Sequence, residues 1–530
     1  MPDKDLLEIK ISKIIHAQKW RIIRLLTKVW EFPAYIPSVK EASVIQRKHN
    51  VMQTKWRVLV EGVPISWIEE DTLAFNENSI YFRAKEGDLA EFKGKWSFQE
   101  HPEGTEVTVN VYLKVGIPAI KDFADAYIKK IVTRNFEAIL EAVERRLISL
   151  KYAGYKRGDK NKIAGFGIIA HLYNFYHLEK CLKTLHPGFK MPSREFLQRL
   201  YHITPSFKLC DINDFKSKTG QTANGCIVMA TFIPDMMEKD PWVISSKIVK
   251  ACKLAEKNEV GIVALSNFTS IVPERIGQEI AQEVDVPVTT GNSFTAAMAI
   301  DGVLKAAQLL KLELSALKLT IVGGTGDIGS ACGRVFAEKV KHLNITGRTK
   351  PKLKEINAEL SKKRKARIIA TTDNESAVRD ADIVIACASA SASFLNIEWF
   401  KPGSIICDVG YPKNVSYSPS TREDILIFSG GLAKTPTQIS LPIDMGLPSD
   451  DTLYGSFAEG IILALEKRYE NFSSEKGGIT PRKIDEIRSL GKKHGFELSD
   501  FYWADKPVDN LLIEKIKSQI RNKKNKPINN

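Results

Sequence analysis

Cysteine is sparse in this chain, and its distribution excludes more than it suggests. Seven residues (Cys181, Cys210, Cys226, Cys252, Cys332, Cys387 and Cys407) are spread over 530 positions, with none in the first 180 and no CxxC or Cys/His ligand spacing. A disulfide scaffold and a zinc framework are therefore excluded, no metal is expected, and the thiols read as reduced and mostly buried. Long apolar runs are also missing. None reaches the ~18 residues of a membrane span, and no secretory leader pattern opens the chain. The expectation is a cytoplasmic protein. Acid is the scarcer sign of charge, 63 Asp and Glu against 77 Lys and Arg, for a formal net charge of +14. Such an excess admits nucleic acid, acidic carrier proteins and anionic membrane surfaces as partners. The cations cluster only at 361–367 and 515–526 and come without a recognition helix, zinc finger or aromatic RNA-reading motif, so nucleic acid ranks last.

The chain exceeds a single core in length, and its 43% hydrophobic and 26% charged content is that of a globular protein. Residues 5–152 read as one α+β unit: a strand at 6–13, a helix at 18–30, and six alternating segments between 39 and 115 separated by short turns. That spacing implies an antiparallel meander. A helix at 119–150 closes the unit, with Tyr127, Ile131, Leu140, Val143 and Leu147 on its apolar stripe. The small, polar and basic segment 152–162 reads as a linker. After it, strands near 163–170, 207–211, 226–232, 261–265 and 286–290 alternate with helices at 172–184, 193–202, 242–258 and 273–284, which implies a parallel sheet. A helix at 293–310 follows.

The sequence then turns on Leu319-Thr-Ile-Val-Gly-Gly-Thr-Gly-Asp-Ile-Gly329, where an apolar strand runs into a glycine-rich turn and a helix at 328–340. Gly324, Gly326 and Gly329 match G-x-G-x-x-G. The first allows a tight turn, the second clears room for a pyrophosphate, and the third lets helix and strand pack closely. Thr325, Asp327 and Ile328 complete the loop, whose helix aims free amides at phosphates. An acid about 20 residues on would bind a ribose 2′-hydroxyl. None stands there. The next strand ends instead in Arg348 and Lys350, a fork and a second charge suited to a 2′-phosphate, so the reading is NADPH. Further strands at 366–371, 383–387, 404–409 and 425–429 put Ser389 and the segment 408–414 at strand carboxyl ends, facing the cofactor.

Two resemblances follow from quoted residues. The element order of the first unit, with Val29-Trp-Glu-Phe-Pro-Ala-Tyr-Ile-Pro37, resembles the helix-grip fold of START-type lipid-binding proteins, polyketide cyclases and coenzyme Q-binding proteins. That resemblance implies a hydrophobic-ligand cavity, for which Trp67, Phe82, Phe92, Trp96 and Phe98 are candidate lining residues; plain core is the other reading of them. From Gly165 to Phe496 the chain resembles cyanobacterial long-chain acyl-acyl-carrier-protein reductases. The matching blocks are Phe166-Gly-Ile-Ile-Ala-His171-Leu, Phe232-Ile-Pro-Asp-Met236, Asn267-Phe-Thr-Ser-Ile271, Thr290-Gly-Asn-Ser-Phe-Thr295, Gly324-Thr-Gly-Asp-Ile-Gly-Ser330, Gly410-Tyr-Pro-Lys-Asn414, Phe457-Ala-Glu459 and His494-Gly-Phe496. The resemblance implies NADPH-dependent reduction of a fatty acyl thioester to an aldehyde.

The family's nucleophilic cysteine precedes the Phe-Ala-Glu block, and this chain has Ser456 there. A helix N-terminus stabilises an anion by about 0.3–2 kcal/mol, at most ~1.5 pKa units, which helps a thiolate but does not ionise an alkyl hydroxyl. Neither Glu459, His171 nor His494 is an evident base for it. Three readings stay open. Ser456 anchors a carbonyl oxygen that the coenzyme reduces directly, or Cys407 substitutes as the thiol, or the chemistry is lost and the protein binds lipid and nucleotide only.

The expected architecture is multidomain α+β and α/β: a helix-grip domain at 1–152, an α/β substrate domain at 163–294, a Rossmann NADP-binding domain with C-terminal helices at 295–505, and a basic tail at 506–530. The tail reads as an amphipathic helix suited to an anionic membrane or an acyl carrier protein, with a frayed solvated terminus as the other reading. The expected activity is NADPH-dependent reduction of long-chain acyl thioesters, or of another hydrophobic carbonyl substrate. A non-catalytic lipid-binding or carrier protein is the alternative.

Overall fold

The structure is a computed structural model that describes the chain apart from residues 1–5, 18, 49, 75–76, 90, 115–120, 153–164, 186–187, 189, 237–240, 277–278, 363–364, 417–421, 474–477, 504–505 and 525–530. The expected linker at 153–162 and Lys526 of the tail lie outside the described residues. Two compact units emerge, one built on residues up to Lys156 and the other almost wholly on residues from Arg157 onward.

The first unit runs β1 (Leu6–Ile15), α1 (Lys19–Thr27), β2 (Val39–Lys48), β3 (Val51–Val60), β4 (Val63–Ala74), β5 (Ser79–Gly87), β6 (Phe92–His101), β7 (Gly104–Lys114) and α2 (Lys121–Tyr152). Its seven strands form one antiparallel sheet in the order β1-β7-β6-β5-β4-β3-β2, the helix-grip arrangement. Period-two patterning sets the faces: Val107, Val109 and Val111 of β7 are fully buried, with Thr108 and Asn110 on the other face. Against the inner face α2 buries Leu140, Val143 and Leu147. Tyr127, expected on that stripe, is exposed, because the early part of α2 carries Lys129, Lys130 and Arg134 and the continuous apolar stripe starts only later. Of the expected lining aromatics, Phe82, Trp96 and Phe98 are buried and Trp67 and Phe92 half-buried. Trp67 stacks on Trp56 at 5.8 Å.

The second unit opens with β8 (Phe166–Ala170), α3 (Phe175–Leu185), α4 (Arg194–Ile203), β9 (Phe207–Lys216), β10 (Thr222–Met229), α5 (Pro241–Lys257), β11 (Ile262–Leu265), α6 (Phe268–Arg275), β12 (Val288–Thr289) and α7 (Asn292–Leu309). The sheet order is β12-β11-β8-β10-β9, parallel except for β9. That strand departs from the expected parallel pattern because only residues 217–221 join it to β10, too few for a crossover. The helix expected at 273–284 is also displaced: α6 ends at Arg275, and only a 3-10 turn at Ile280–Gln282 follows. Tertiary bonds start α6 early, since Phe268 donates its N–H to His171 Nε2 (3.3 Å) and Thr269 Oγ1 accepts from Ser266 N (2.7 Å).

Next come β13 (Lys318–Val322), α8 (Asp327–Phe336), β14 (His342–Thr346), α9 (Lys350–Ser361), β15 (Arg367–Thr371), α10 (Asn374–Arg379), β16 (Ile383–Ala386), β17 (Ile405–Asp408) and β18 (Leu426–Ser429). All six strands are parallel in the order β15-β14-β13-β16-β17-β18, the doubly wound dinucleotide-binding topology. Short strands β19 (Leu432–Lys434) and β20 (Thr452–Tyr454) lead to α11 (Gly455–Leu465), then α12 (Pro481–His494), β21 (Glu497–Leu498) and α13 (Asn510–Lys524). A continuous hydrophobic core takes in both sheets, with α7 packed on α8, α11 and α12.

The tail helix α13 is not the free amphipathic helix expected. Ile513 and Ile516 are buried and Ile520 lies against Gly403, so this part of its apolar face is docked on the second unit, while Leu511 is exposed. Among the described residues no helix is long and apolar enough to cross a membrane.

Candidate active site

Strand β13 delivers the chain into the glycine turn, and each glycine there has a separate reason. Gly323, outside the expected motif, is the one in the left-handed region, at φ 81°; a Cβ on it would stand 2.6 Å from Ala388 Cα. Gly324 is needed for packing instead, with a Cβ position 2.6 Å from Ile345 Cγ2 on β14. Gly329 lets α8 close on the turn, where a Cβ would sit 2.4 Å from Gly323 O. At Gly326, the N-cap of α8, the nearest protein atom to a Cβ would be 3.4 Å away. That space stays clear over a helix start that has no side-chain cap, as a pyrophosphate site requires.

The cations stand next to this turn. Gly347 lies against the Thr325 side chain, 2.8 Å from where a Cβ would be, and Arg348 follows it into solvent. Lys350 is exposed and opens α9, whose cap Thr349 makes no side-chain bond. Among the described residues neither cation has an ion-pair partner. A positive side chain at a helix start is unfavourable by itself. An anion bound between Arg348, Lys350 and the α9 amides would reverse that sign, so the residues fit a 2′-phosphate.

Three strand ends are tied together at the same edge. Asn414 accepts from Ala388 N (2.9 Å) and donates to Ala388 O (2.9 Å), which joins the loop carrying Ser389 to the segment after β17. Asp408 holds that segment by accepting from Gly410 N (3.0 Å) and Val415 N (2.8 Å). Burial pushes its carboxyl up to about 6, against the pull of Lys413. Lys413 is buried, donates to Asp408 O (2.8 Å) and lies 3.4 Å from the Tyr411 ring centre. The Tyr411–Pro412 peptide is cis. Tyr411 meets Tyr454 edge-on at 4.6 Å, and Tyr173 packs on both. Contact therefore runs from the glycine turn through Ala388, Asn414 and Tyr411 to Tyr454, two residues before Ser456.

Ser456 stands at the start of α11, a helix whose residues are all buried. It is 4% exposed, and its hydroxyl has no hydrogen-bond partner among the described residues. No base reaches it. Glu459 accepts instead from Thr289 Oγ1, from Ser473 Oγ (2.8 Å) and from Phe294 N (2.8 Å), and burial raises its pKa. His171 is held between Leu172 O (2.9 Å) and Phe268 N, with burial lowering its pKa to about 4, so the ring is neutral. His494 is engaged with Glu466 at 2.5 Å.

Cys407 lies in β17 inside the core, where burial pushes its thiol far above the ordinary range. A thiol in that setting is withheld from substrate and does not replace the absent nucleophile. Sequence reasoning gave no role to Tyr173 or Tyr454, nor to Gly291 and Asn292, which it quoted only within the block 290–295. The last two carried a readable signal, a Thr-Gly-Asn turn ahead of a long helix.

Residues 21–140 match the family described as polyketide cyclase / dehydrase and lipid transport, and residues 305–429 match shikimate / quinate 5-dehydrogenase. A long-chain acyl-[acyl-carrier-protein] reductase from Synechococcus elongatus is 28% identical over 346 residues, covering 63% of this chain and 98% of that protein. The last two thirds of the chain is similar to a reductase. Aminotransferase PigE from a Serratia strain is 29% identical over 343 residues, 62% of this chain but only 39% of that longer protein. Among solved structures, TTHA0849 from Thermus thermophilus matches with 24% identity over 27% of this chain and 99% of its own, at a TM-score of 0.26. The ZhuI aromatase/cyclase from a Streptomyces strain matches with 16% identity over 28% of this chain and 98% of its own, also at 0.26. Scores at that level add nothing to the topology already described.

Proposed function

We propose that the protein is an NADPH-dependent reductase of a hydrophobic carbonyl substrate, a long-chain acyl thioester or a related aldehyde or ketone, with a helix-grip domain that holds an apolar ligand. The two family matches and the similarity to an acyl-carrier-protein reductase support an oxidoreductase that uses a nicotinamide coenzyme. The observation that carries the finer reading is the pair Arg348 and Lys350, without an ion-pair partner among the described residues, at the carboxyl end of β14 beside a glycine turn, where an NAD site places an acid. The α8 amides with Gly326 would hold the pyrophosphate, and Ser389 borders the same edge. Bound there, the coenzyme supplies a hydride. Tyr173, Tyr411 and Tyr454 give the neighbouring surface an apolar, aromatic lining.

Ser456 in place of a thiol favours direct reduction of an aldehyde or ketone over a thioester route, because no base is placed to ionise it. An acyl carrier protein or a membrane surface would meet cations such as Arg521 on α13 rather than Ile513 and Ile516, which are already buried. The experiment titrates the protein with NADPH and NADH, then follows NADPH oxidation with dodecanal and with dodecanoyl thioesters. Preference for NADPH with turnover of dodecanal is expected. Binding of both coenzymes without turnover of any carbonyl would leave a lipid-binding protein on a nucleotide-holding scaffold.

A further inference from the structure

Two long helices begin at the same point in the second unit. Gly291 caps α7 at φ 69°, and a Cβ there would stand 2.1 Å from Ser456 Cα and 2.6 Å from Ser456 Cβ. Gly455 opens α11, where a Cβ would stand 2.7 Å from Thr295 Cα in the first turn of α7. The two N-termini are thus pressed together, each glycine making room for the other helix. Neither has a side-chain cap.

The first turn of any helix leaves amides without an internal acceptor. At α7, Gly291 N donates to Thr289 Oγ1 (3.4 Å) and Phe294 N to Glu459 (2.8 Å), which leaves the amides of Asn292 and Ser293. At α11, Gly455 N donates to Gly431 O (2.8 Å), which leaves those of Ser456 and Phe457. None of these four amides has an acceptor among the described residues. Side chains at a helix start lean toward the N-terminus, and the Cβ of Ser456, a residue only 4% exposed, stands against Gly291, so its hydroxyl, without a partner among the described residues, lies at this junction. Asn292, half-buried and without a side-chain partner among the described residues, follows Gly291 in the first turn of α7.

We propose that the joined N-termini of α7 and α11, with the Ser456 hydroxyl and the Asn292 side chain, form an oxyanion pocket that binds the carbonyl oxygen of the substrate as negative charge develops on it. This deepens the reductase reading and rests on it only for the identity of that oxygen. Charge on the oxygen meets donors and two dipoles that need no reorganisation, the arrangement that stabilises developing anions most strongly. Ser456 acts as a donor here and no covalent step is required of it, which accounts for a hydroxyl at a place that holds no base.

The test uses the full chain and no coenzyme. In Ser456→Cys, the thiolate is read as the difference in 240 nm absorbance from the wild-type protein across pH. The native thiols with raised pKa values, such as Cys181 and Cys226 at about 11, titrate higher and cancel. The pocket should bring the new thiol at least about one unit below the ~8.5 of a free cysteine. Titration at or above that value, as burial alone would give, overturns the proposal. A second measurement follows protection of the same thiol from iodoacetamide by dodecanoate, whose carboxylate mimics the charged oxygen, and by dodecanol. Protection at roughly tenfold lower dodecanoate concentration, about 1.4 kcal/mol, is expected, and equal protection overturns it. Lipid held elsewhere in the chain is invisible to both readings. Failure of the coenzyme titration would sink the reductase reading and leave these outcomes untouched.

Discussion

At the scale of single residues the glycine turn separates folding from function. Gly329→Ala forces a Cβ to 2.4 Å from Gly323 O and should destabilise the second unit by about 1–3 kcal/mol, read by thermal melting. Gly326→Ala meets no atom closer than 3.4 Å, so its melting temperature should stay while affinity for the dinucleotide falls. The reverse pattern would mean that the open space over Gly326 is not where the phosphates lie. Arg348→Ala should weaken NADPH binding about 10–100-fold, the worth of a charge-assisted bond, and leave NADH unchanged. The turn was legible in sequence because spacing alone specifies it. Which glycine takes the left-handed conformation was not: the approach of Ala388, 65 residues on, assigns it to Gly323.

Elements show what a local pattern cannot carry. On β4, Glu69 and Asp71 both face the buried side of the first unit, with Trp67 Nε1 donating to Glu69 (2.8 Å) and Thr54 Oγ1 to Asp71 (3.1 Å). Burial raises Asp71 to about 7 and Glu69 well above the carboxylate range, the latter reinforced by Asp71 itself. The folded unit therefore binds more protons than the unfolded chain. The stability contributed by these two carboxyls is complete below about pH 4 and is lost as pH rises through about 7. Asp71→Asn should raise the melting temperature of this unit at pH 8 and do little at pH 4, followed by the fluorescence of Trp56 and Trp67; the same shift at both would exclude the carboxyl pair as its cause. In the second unit Glu459 links β12, α7, α11 and Ser473. Glu459→Ala orphans three donors and should cost about 2–4 kcal/mol. Strand and helix periods in these elements were plain in sequence, whereas the early start of α6 and the docking of α13 depend on partners far along the chain.

The whole molecule combines two units whose cores are built separately. Calorimetry should show two transitions, with NADPH at about 100 times its Kd raising only the second unit's by about 2.7 kcal/mol; movement of both would contradict their independence. By itself the sequence determined the strand meander, the doubly wound order, the missing thiol and the cations after β14, because periodicity, turn chemistry and side-chain charge are local properties. Only the tertiary structure decided that Cys407 is sealed in the core, that α13 docks through Ile513 and Ile516, and that two helix starts meet at Ser456. Those facts depend on which residues burial brings together across more than a hundred positions, and no local pattern encodes such meetings.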